Sequence, residues 1–330
     1  MSEQRRVIII GGGASGIFAA IQCKEYHPDF EVIVLERTGK LLSKVKISGG
    51  GRCNVTNATT DNRFLITNYP RGEKELKGPF SRFAVLQTID WFNKNGVELK
   101  TESDGRMFPV TDSSQTIIDC FLKKLNALNI AVIFNETVVE LIKNENDFNL
   151  ITAKGNYFKA HNIIVATGGN ANAGHYKWLE ACGHSVVPPV PSLFTFNIPQ
   201  STLKGLEGVA FKNVVVKIAD TRLHHQGPVL ITHWGLSGPA VLKLSAQGAL
   251  ILHKLNYRFK VSLDFVDEEN EEALLELLQN QKKISAPKRI AAQPMFNLPA
   301  RFWERICHLS EIENRSEEHT SELQSPYVIS

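Results

Sequence analysis

"RRVIIIGGGASGIFAAIQCKEYHPDFEVIVLER" (residues 5–37) decides the fold. The β-branched run "RRVIII" ends in glycine and reads as a buried strand. After Gly16, "IFAAIQCKEY" keeps apolar residues at helical spacing, and "EVIVLER" is a second strand. Strand, glycine turn, helix, strand is the order of a βαβ unit, so the two strands are expected to run parallel. Within the turn, Gly11, Gly13 and Gly16 make G-x-G-x-x-G, and Glu36 closes the next strand twenty positions beyond Gly16. Each part has a physical task in holding a dinucleotide. Gly11 makes the tight turn, Gly13 lets a pyrophosphate approach the backbone, and Gly16 lets helix and strand pack closely. The helix start, with Ala14 and Ser15, offers unpaired N–H groups and partial positive charge to phosphates. Glu36, beside Arg37, can accept hydrogen bonds from an adenosine ribose, and its charge would repel a 2′-phosphate.

A second glycine run, "SGGGRCNVTN" (Ser48 to Asn57), follows closely. Three consecutive glycines lose much backbone entropy on folding and offer no side chain to bury. Such a run implies a phosphate or a flat ring against the backbone, or a mobile loop. Farther on, "IIVATGG" (Ile163 to Gly169) is another strand-then-glycine junction, with Thr167, Gly168 and Gly169 at its end.

The bulk numbers set the class. The chain has 330 residues, 43% hydrophobic and 22% charged, which is ordinary globular composition. The formal net charge of +3 is too mild to point to nucleic acid or a membrane surface. The five cysteines are far apart, with no C-x-x-C. That argues against a redox dithiol and against zinc, and fits free thiols in a reducing cytosol. Glycines interrupt the N-terminal apolar run where a signal peptide needs an unbroken core. A cytoplasmic protein with no metal site is the expectation.

The end of the chain is read separately. Back-translated, Arg315 to Ser325 matches one frame of a standard sequencing adapter, so residues 315–330 are expected to be non-native. Without them 36 basic and 31 acidic residues remain, a net charge of +5, and the natural chain is expected to continue past Asn314.

Between these landmarks, Thr38 to Gly78 reads as loop-rich. "SRFAVLQTIDWFNKNG" reads as a helix stopped by Gly96, and "TIIDCFLKKLNALN" as a helix before the strand "IAVIF". The stretch from Thr137 to Gly169 reads as three strands. "VVPPVPSL" looks like a domain crossing. Phe194 to Val266 then suggests a small antiparallel β domain, with "LHHQG" as a hairpin turn. "EENEEALLELLQNQKK" and the proline-broken stretch to Leu309 read as helical, the acidic run at 267–272 favouring a helix start. Asp112 or Ser113 is expected to cap the helix after "GRMFPVTDSS".

In this company "IIVATGG" resembles the A-T-G-G segment of two-dinucleotide flavoproteins, and the answer to the second glycine run becomes a cofactor. If the first turn holds the pyrophosphate of FAD, Ser48 and Gly49–Gly51 let the main chain lie against the ribityl chain or flavin ring. Arg52 brings positive charge toward the pyrophosphate or the reduced flavin, and Asn54 brings hydrogen bonds. Cys53 invites a redox role, but lacking a partner cysteine it reads better as packing. The same resemblance places Val138 at a backbone contact to the adenine.

"VIIIGGGASG", "SGGGRCNVTN", "GRMFPVTDSSQTIIDCF", "IIVATGG" and "THWGLSGPAVLKLS", in this order, resemble the BaiN/RdsA-like NAD(P)/FAD-dependent oxidoreductases over about Val7 to Asn314. The resemblance implies an α/β fold: a Rossmann-like FAD-binding domain with a central parallel sheet, an inserted antiparallel β domain and a helical segment. It assigns residues 1–190 to the FAD domain, incomplete because the family's closing glycine-rich segment is missing. Residues 191–266 become the β-rich insert and 267–314 its helical part. It also implies NAD(P)H as reductant and a small-molecule substrate. Trp234, His233 and Ser237 of "THWGLSGPA" either face that substrate or merely pack and shape a turn, and the second reading is favoured. No orienting carboxylate is placed for a Ser–His hydrolase. Two rivals remain: an FAD module in nucleic-acid modification, and an inactive fragment or flavin-bound sensor.

Overall fold

The computed structural model describes residues 4–170, 172–199, 202–266, 271–284 and 290–310. The predicted tail at 315–330 and the first part of the acidic run, 267–270, lie outside the described residues. The chain divides into two compact units, Met1–Pro189 and Val190–Ser330.

The first unit is built on four parallel strands in the order Asn162–Val165, Arg6–Ile10, Glu31–Glu36, Ala131–Phe134. Alternation along each strand serves two layers. Val7, Ile9, Val32 and Val34 pack with Ile17, Ala20 and Ile21 of the helix Ala14–Tyr26 and with Ile117, Phe121 and Leu125 of the helix Ser114–Ala127. Ile8, Ile10, Ile33 and Leu35 face the other way, onto Leu141, Leu150 and Ala160 of an antiparallel meander and onto Trp178. Burial on both faces is why the strand sequences are continuous Val/Ile/Leu runs. This is the α/β, Rossmann-like arrangement, with the β-strand to helix to β-strand order of residues 6–36 as expected.

The meander contains Val138–Lys143, Phe148–Thr152 and Tyr157–Ala160, so the stretch read as three strands holds four. The change of sheet takes a single residue. His161 N donates to Arg6 O at 2.9 Å, and its Nδ1 accepts from Arg6 N at 3.0 Å. The three-strand reading takes "NIIVATGG" as the strand that returns to the sheet, so the strand it passes over is Tyr157–Ala160. The region expected to be loop-rich also carries helices, Ser43–Ile47, Asn62–Ile66 and Glu73–Arg82, the last enclosing Gly78 and Pro79. The helix expected over "SRFAVLQTIDWFNKNG" is interrupted: Ala84 is extended (φ −137°, ψ −150°) and starts a new helix, Val85–Lys94, with the Gln87 side chain accepting from its N–H. Ser113 caps Ser114–Ala127, accepting from Gln115 N. A small antiparallel sheet, Thr56–Asn57, Arg106–Pro109 and Leu99–Thr101, completes this unit.

The second unit is an antiparallel sheet in the order Phe196–Asn197, Gly235–Ser237, His224–Thr232, Ala210–Ile218, Val261–Asp264. The helices Pro239–Lys254 and Ala300–Leu309 share its core, where Phe211, Phe265 and Phe302 meet with ring centroids 4.5–4.7 Å apart. "LHHQG" lies within a strand and is no turn. The chain reverses earlier, where Asp220 adopts φ 59° and Thr221 N donates to Ile218 O. Trp234 does not pack either: it is 54% exposed at the tight turn between Thr232 and Gly235. Gly235 and Gly238 are needed by the chain itself, since a Cβ would come within 2.2 Å of Phe196 O and 2.7 Å of Pro228 O.

Candidate functional site

Two glycine turns follow the C-terminal ends of adjacent parallel strands, Arg6–Ile10 and Asn162–Val165, and the remaining one, Ser48–Gly51, follows the short helix Ser43–Ile47. At the first, Gly11 N donates to Leu35 O, and the helix Ala14–Tyr26 starts with Gly13 as its N-cap. Gly11 (φ 114°) and Gly16 answer internal packing: a Cβ would sit 2.4 Å from Ala166 O in one case and 1.9 Å from Gly11 O in the other. Gly13 differs, because a Cβ there would meet nothing within 4 Å. No side chain caps this helix, and its first turn holds no acid, so its leading N–H groups face open space. An anionic group fits that exposure. The Ala166 contact also joins this turn to Thr167, Gly168 and Gly169, which follow the edge strand Asn162–Val165.

Glu36, 9% exposed, braces the first turn. Its Oε2 accepts from Gly12 N at 2.8 Å, and its Oε1 accepts from Thr38 N and Oγ1 at 2.9 and 2.7 Å. A carboxylate has about four acceptor positions, so one lone pair is left for an incoming hydroxyl. Arg37 is exposed at the same strand end. Glu136 N donates to Glu36 O, which ties the start of the meander, and Val138 two residues later, to this edge.

Ser48–Gly51 forms a short 3-10 turn in which Gly49, Gly50 and Gly51 all have positive φ (55°, 69° and 87°). Gly49 is pressed against the chain, since a Cβ would lie 2.8 Å from Asn54 N and 3.0 Å from Phe108, whereas Gly50 and Gly51 face open space. The floor beneath the turn is Phe108, wholly buried in the strand Arg106–Pro109. Arg52 lies across it, its guanidinium carbon 4.0 Å from the ring centroid. That guanidinium is occupied by protein groups: Nη1 pairs with Glu102 at 2.5 Å and with Asp112 at 3.4 Å. Arg52 holds the Glu102 carboxyl below the usual carboxylate range, and Lys100, aided by Arg52, does the same for Asp112. The charge expected to reach a cofactor is therefore balanced by two carboxylates within the chain. Cys53 is buried at φ 63°, its N–H on Ser48 O, and burial pushes its thiol up while Ser48 pulls the other way. With its amide turned to donate, Asn54 reaches Thr56 O at 2.9 Å and Met107 O at 3.2 Å.

Ala14 and Ser15 of the first turn, Ser48, Cys53 and Asn54 of the second, and Lys44 line one cavity of about 480 Å3. Its far wall is aromatic, with Phe18, Phe83, Trp91 and Phe121. Trp91 Nε1 is buried there with no hydrogen-bond partner among the described residues. Of the residues singled out from sequence, Ala14, Ser15, Ser48, Cys53 and Asn54 line the cavity, whereas the glycines of the three turns, Glu36, Arg37, Arg52, Val138 and Thr167 do not. Lys44, Glu102, Phe108 and Trp91 were not singled out from sequence, because none belongs to a glycine turn; they reach the site only through tertiary packing. No group of three or more His, Cys, Asp or Glu suited to a metal occurs among the described residues, and no helix there is long and apolar enough to cross a membrane.

Residues 5–258 match the HI0933-like protein Rossmann domain. The chain belongs to this HI0933-like family. Among curated relatives, the HI0933-like chain is 29% identical over 301 residues to the ribosomal RNA dihydrouridine synthase of Escherichia coli (strain K12), covering 87% of this chain and 72% of that protein. It is 28% identical over 271 residues to the 3-dehydro-bile acid delta(4,6)-reductase of Clostridium scindens, covering 80% of this chain and 65% of the relative. Among solved structures, the 3-ketosteroid-delta4-(5alpha)-dehydrogenase of Rhodococcus jostii RHA1 aligns with a TM-score of 0.44 at 13% identity, over 64% of this chain and 61% of that one.

Proposed function

We propose that this HI0933-like chain is an FAD-dependent oxidoreductase that takes reducing equivalents from NAD(P)H and passes them to a small-molecule substrate. The observation that carries this reading is a pair of glycine turns at the ends of the adjacent parallel strands Arg6–Ile10 and Asn162–Val165, joined at one cavity by the turn Ser48–Gly51, with Gly13, Gly50 and Gly51 open and a helix N-terminus uncapped. Gly13, Ala14 and Ser15 would hold the pyrophosphate by backbone N–H groups. Glu36 would spend its remaining lone pair on a ribose hydroxyl. Ser48 to Gly51 would give the flavin a backbone cradle, and Asn54 and Phe108 fix that cradle from below. When bound, the isoalloxazine ring supplies the hydride chemistry, while the protein positions and shields it. Phe18, Phe83, Trp91 and Phe121 would shield one side of the site. In this reading residues 1–190 serve as the FAD domain, and the β-rich unit with its helices serves as the insert that selects the substrate.

The test is the visible spectrum of the purified chain, with any released cofactor identified. A flavin spectrum that bleaches with NADH or NADPH supports the proposal, and a folded, colourless chain that takes up no added FAD refutes it. A second reading keeps the flavin but makes the substrate nucleic acid. It is favoured by the name of the E. coli relative, shared by a Haemophilus influenzae relative 26% identical over 304 residues. Steeply salt-dependent binding to ribosomal RNA fragments would select it over a free small molecule.

A further inference from the structure

The mild net charge of the chain is unevenly spread. Residues 191–266 hold eight Lys or Arg against three Asp or Glu, a net +5 in a chain whose formal charge is +3, so all other residues together sum to −2. Within this stretch the strand His224–Thr232 sorts its side chains by alternation. Val229 and Ile231 enter the core with Val216 and Ile218 of the neighbouring strand and with the helix Pro239–Lys254. The opposite face leaves His224, Pro228 and Leu230 exposed, and the exposed Lys217 lies directly across from His224. Two more exposed cations stand at that end. Arg222 is in the loop closed by Ile218 N on Leu223 O, and Lys260 O accepts from Ala219 N at 3.0 Å. An acid, Asp264, also belongs to this face, opposite Val215, and its Oδ1 accepts from Val266 N at 3.2 Å.

Trp234 follows the other end of the strand and is 54% exposed. Its turn is held from both sides. Trp234 O accepts from Ile198 N at 2.8 Å, Thr232 Oγ1 donates to Gly235 O at 3.1 Å, and Gly235 (φ 148°) is fixed against Phe196 O. A ring presented on backbone already held in place loses little entropy when a flat group stacks on it. From His224 to Trp234 the chain extends roughly 30 Å. A free small molecule is too short to engage both ends. A flexible polyanion that carries flat bases can do so.

We propose that this face of the second unit binds single-stranded RNA, with a base stacked on Trp234 and the phosphate backbone running toward Lys217, Arg222 and Lys260. This goes beyond the small-molecule reading and rests on the nucleic-acid reading above, for which it names the contact surface.

The test titrates the whole chain with a fluorescent oligouridine of roughly 12 nucleotides at low and high salt. Trp234→Ala should lose about tenfold or more in affinity, while Trp234→Phe keeps most of it. RNA should quench a part of the tryptophan emission that Trp234→Phe lacks. Lys217→Gln combined with Arg222→Gln should flatten the log–log salt dependence by about one. None of these variants should melt earlier, because the side chains lie outside the core. Trp234→Ala binding RNA as tightly as the unaltered chain, or a loss shared equally by Trp234→Phe, overturns the proposal and leaves the nucleic-acid reading standing. Binding to phosphatidylglycerol vesicles at a salt concentration that releases RNA assigns the face to lipid and also overturns it. A chain that binds no RNA even at low salt overturns the proposal and the nucleic-acid reading together.

Discussion

Alanine at Gly13 separates the two duties of the first glycine turn. At Gly13 the backbone has φ −80° and ψ −177°, which any residue adopts, and an added Cβ meets nothing within 4 Å. Glycine is better than alanine as an N-cap, so the exchange costs about 0.5 kcal/mol there. Against this, alanine restricts the unfolded chain, a gain of about 0.4–1 kcal/mol. The two nearly cancel, and the apo melting temperature should move by less than about 2 °C. The added methyl group nevertheless occupies the open face over the helix start, where the proposed pyrophosphate would approach. FAD affinity should fall about tenfold or more, because a displaced phosphate loses charge-assisted contacts to N–H groups. Gly16→Ala is the control. Its Cβ would lie 1.9 Å from Gly11 O, against ordinary contacts above 3.4 Å, so the helix must be pushed off the sheet over buried Ile17, Ala20 and Ile21. Such overpacking costs about 1–3 kcal/mol or more. Calorimetry of both apo variants and FAD titration by fluorescence supply the readings. If Gly13→Ala binds FAD normally, or melts as early as Gly16→Ala, the division of labour among these glycines is wrong.

The Arg52 cluster gives a pH prediction. Glu102 and Asp112 are held below their ordinary range by Arg52 and Lys100, so their contribution is complete above the unfolded carboxylate values near pH 4. It is lost as the pH falls through the lower folded values, and Glu102→Gln should flatten the acid limb of a pH-dependent melting series. Cys53 is 7% exposed with its thiol pushed up, so iodoacetamide should label it slowly at neutral pH in the folded chain; fast stoichiometric labelling would contradict its burial. Phe108→Ala removes the wholly buried floor of the second turn and should destabilise the chain by about 3–5 kcal/mol in denaturant titrations.

The parallel sheet was legible because its strands are buried on both faces and punctuated by glycine. Val7–Ile10 and Val32–Leu35 admit little else. The stretch after Thr137 was harder: the return of "NIIVATGG" to the sheet is legible, but Tyr157–Ala160, four residues paired to Phe148–Thr152, is too short to stand out as a strand of its own. Trp234 was misjudged because a large apolar residue in a glycine-rich segment suggests packing, while here it sits in the two-residue turn between Thr232 and Gly235 and is exposed. The glycine turns announced themselves by composition. Their supports did not: Phe108 lies in a strand whose segment is read only for the helix cap that follows it, Glu102 is an acid among many, and Lys44 is one of three lysines in seven residues.

Glu36 illustrates a limit on redesign. In a βαβ nucleotide fold the acid at the end of the second strand is the obvious handle for changing which ribose is accepted. Here the same carboxylate holds Gly12 N and both donors of Thr38, so it is a structural brace besides the reader it is proposed to be. Replacing it with a small neutral residue would orphan the buried Gly12 N–H and change the shape of the first glycine turn, whatever it did to the proposed nucleotide contact. Selectivity in this protein must therefore be engineered around Glu36, through neighbours such as the exposed Arg37, with the acid left in place.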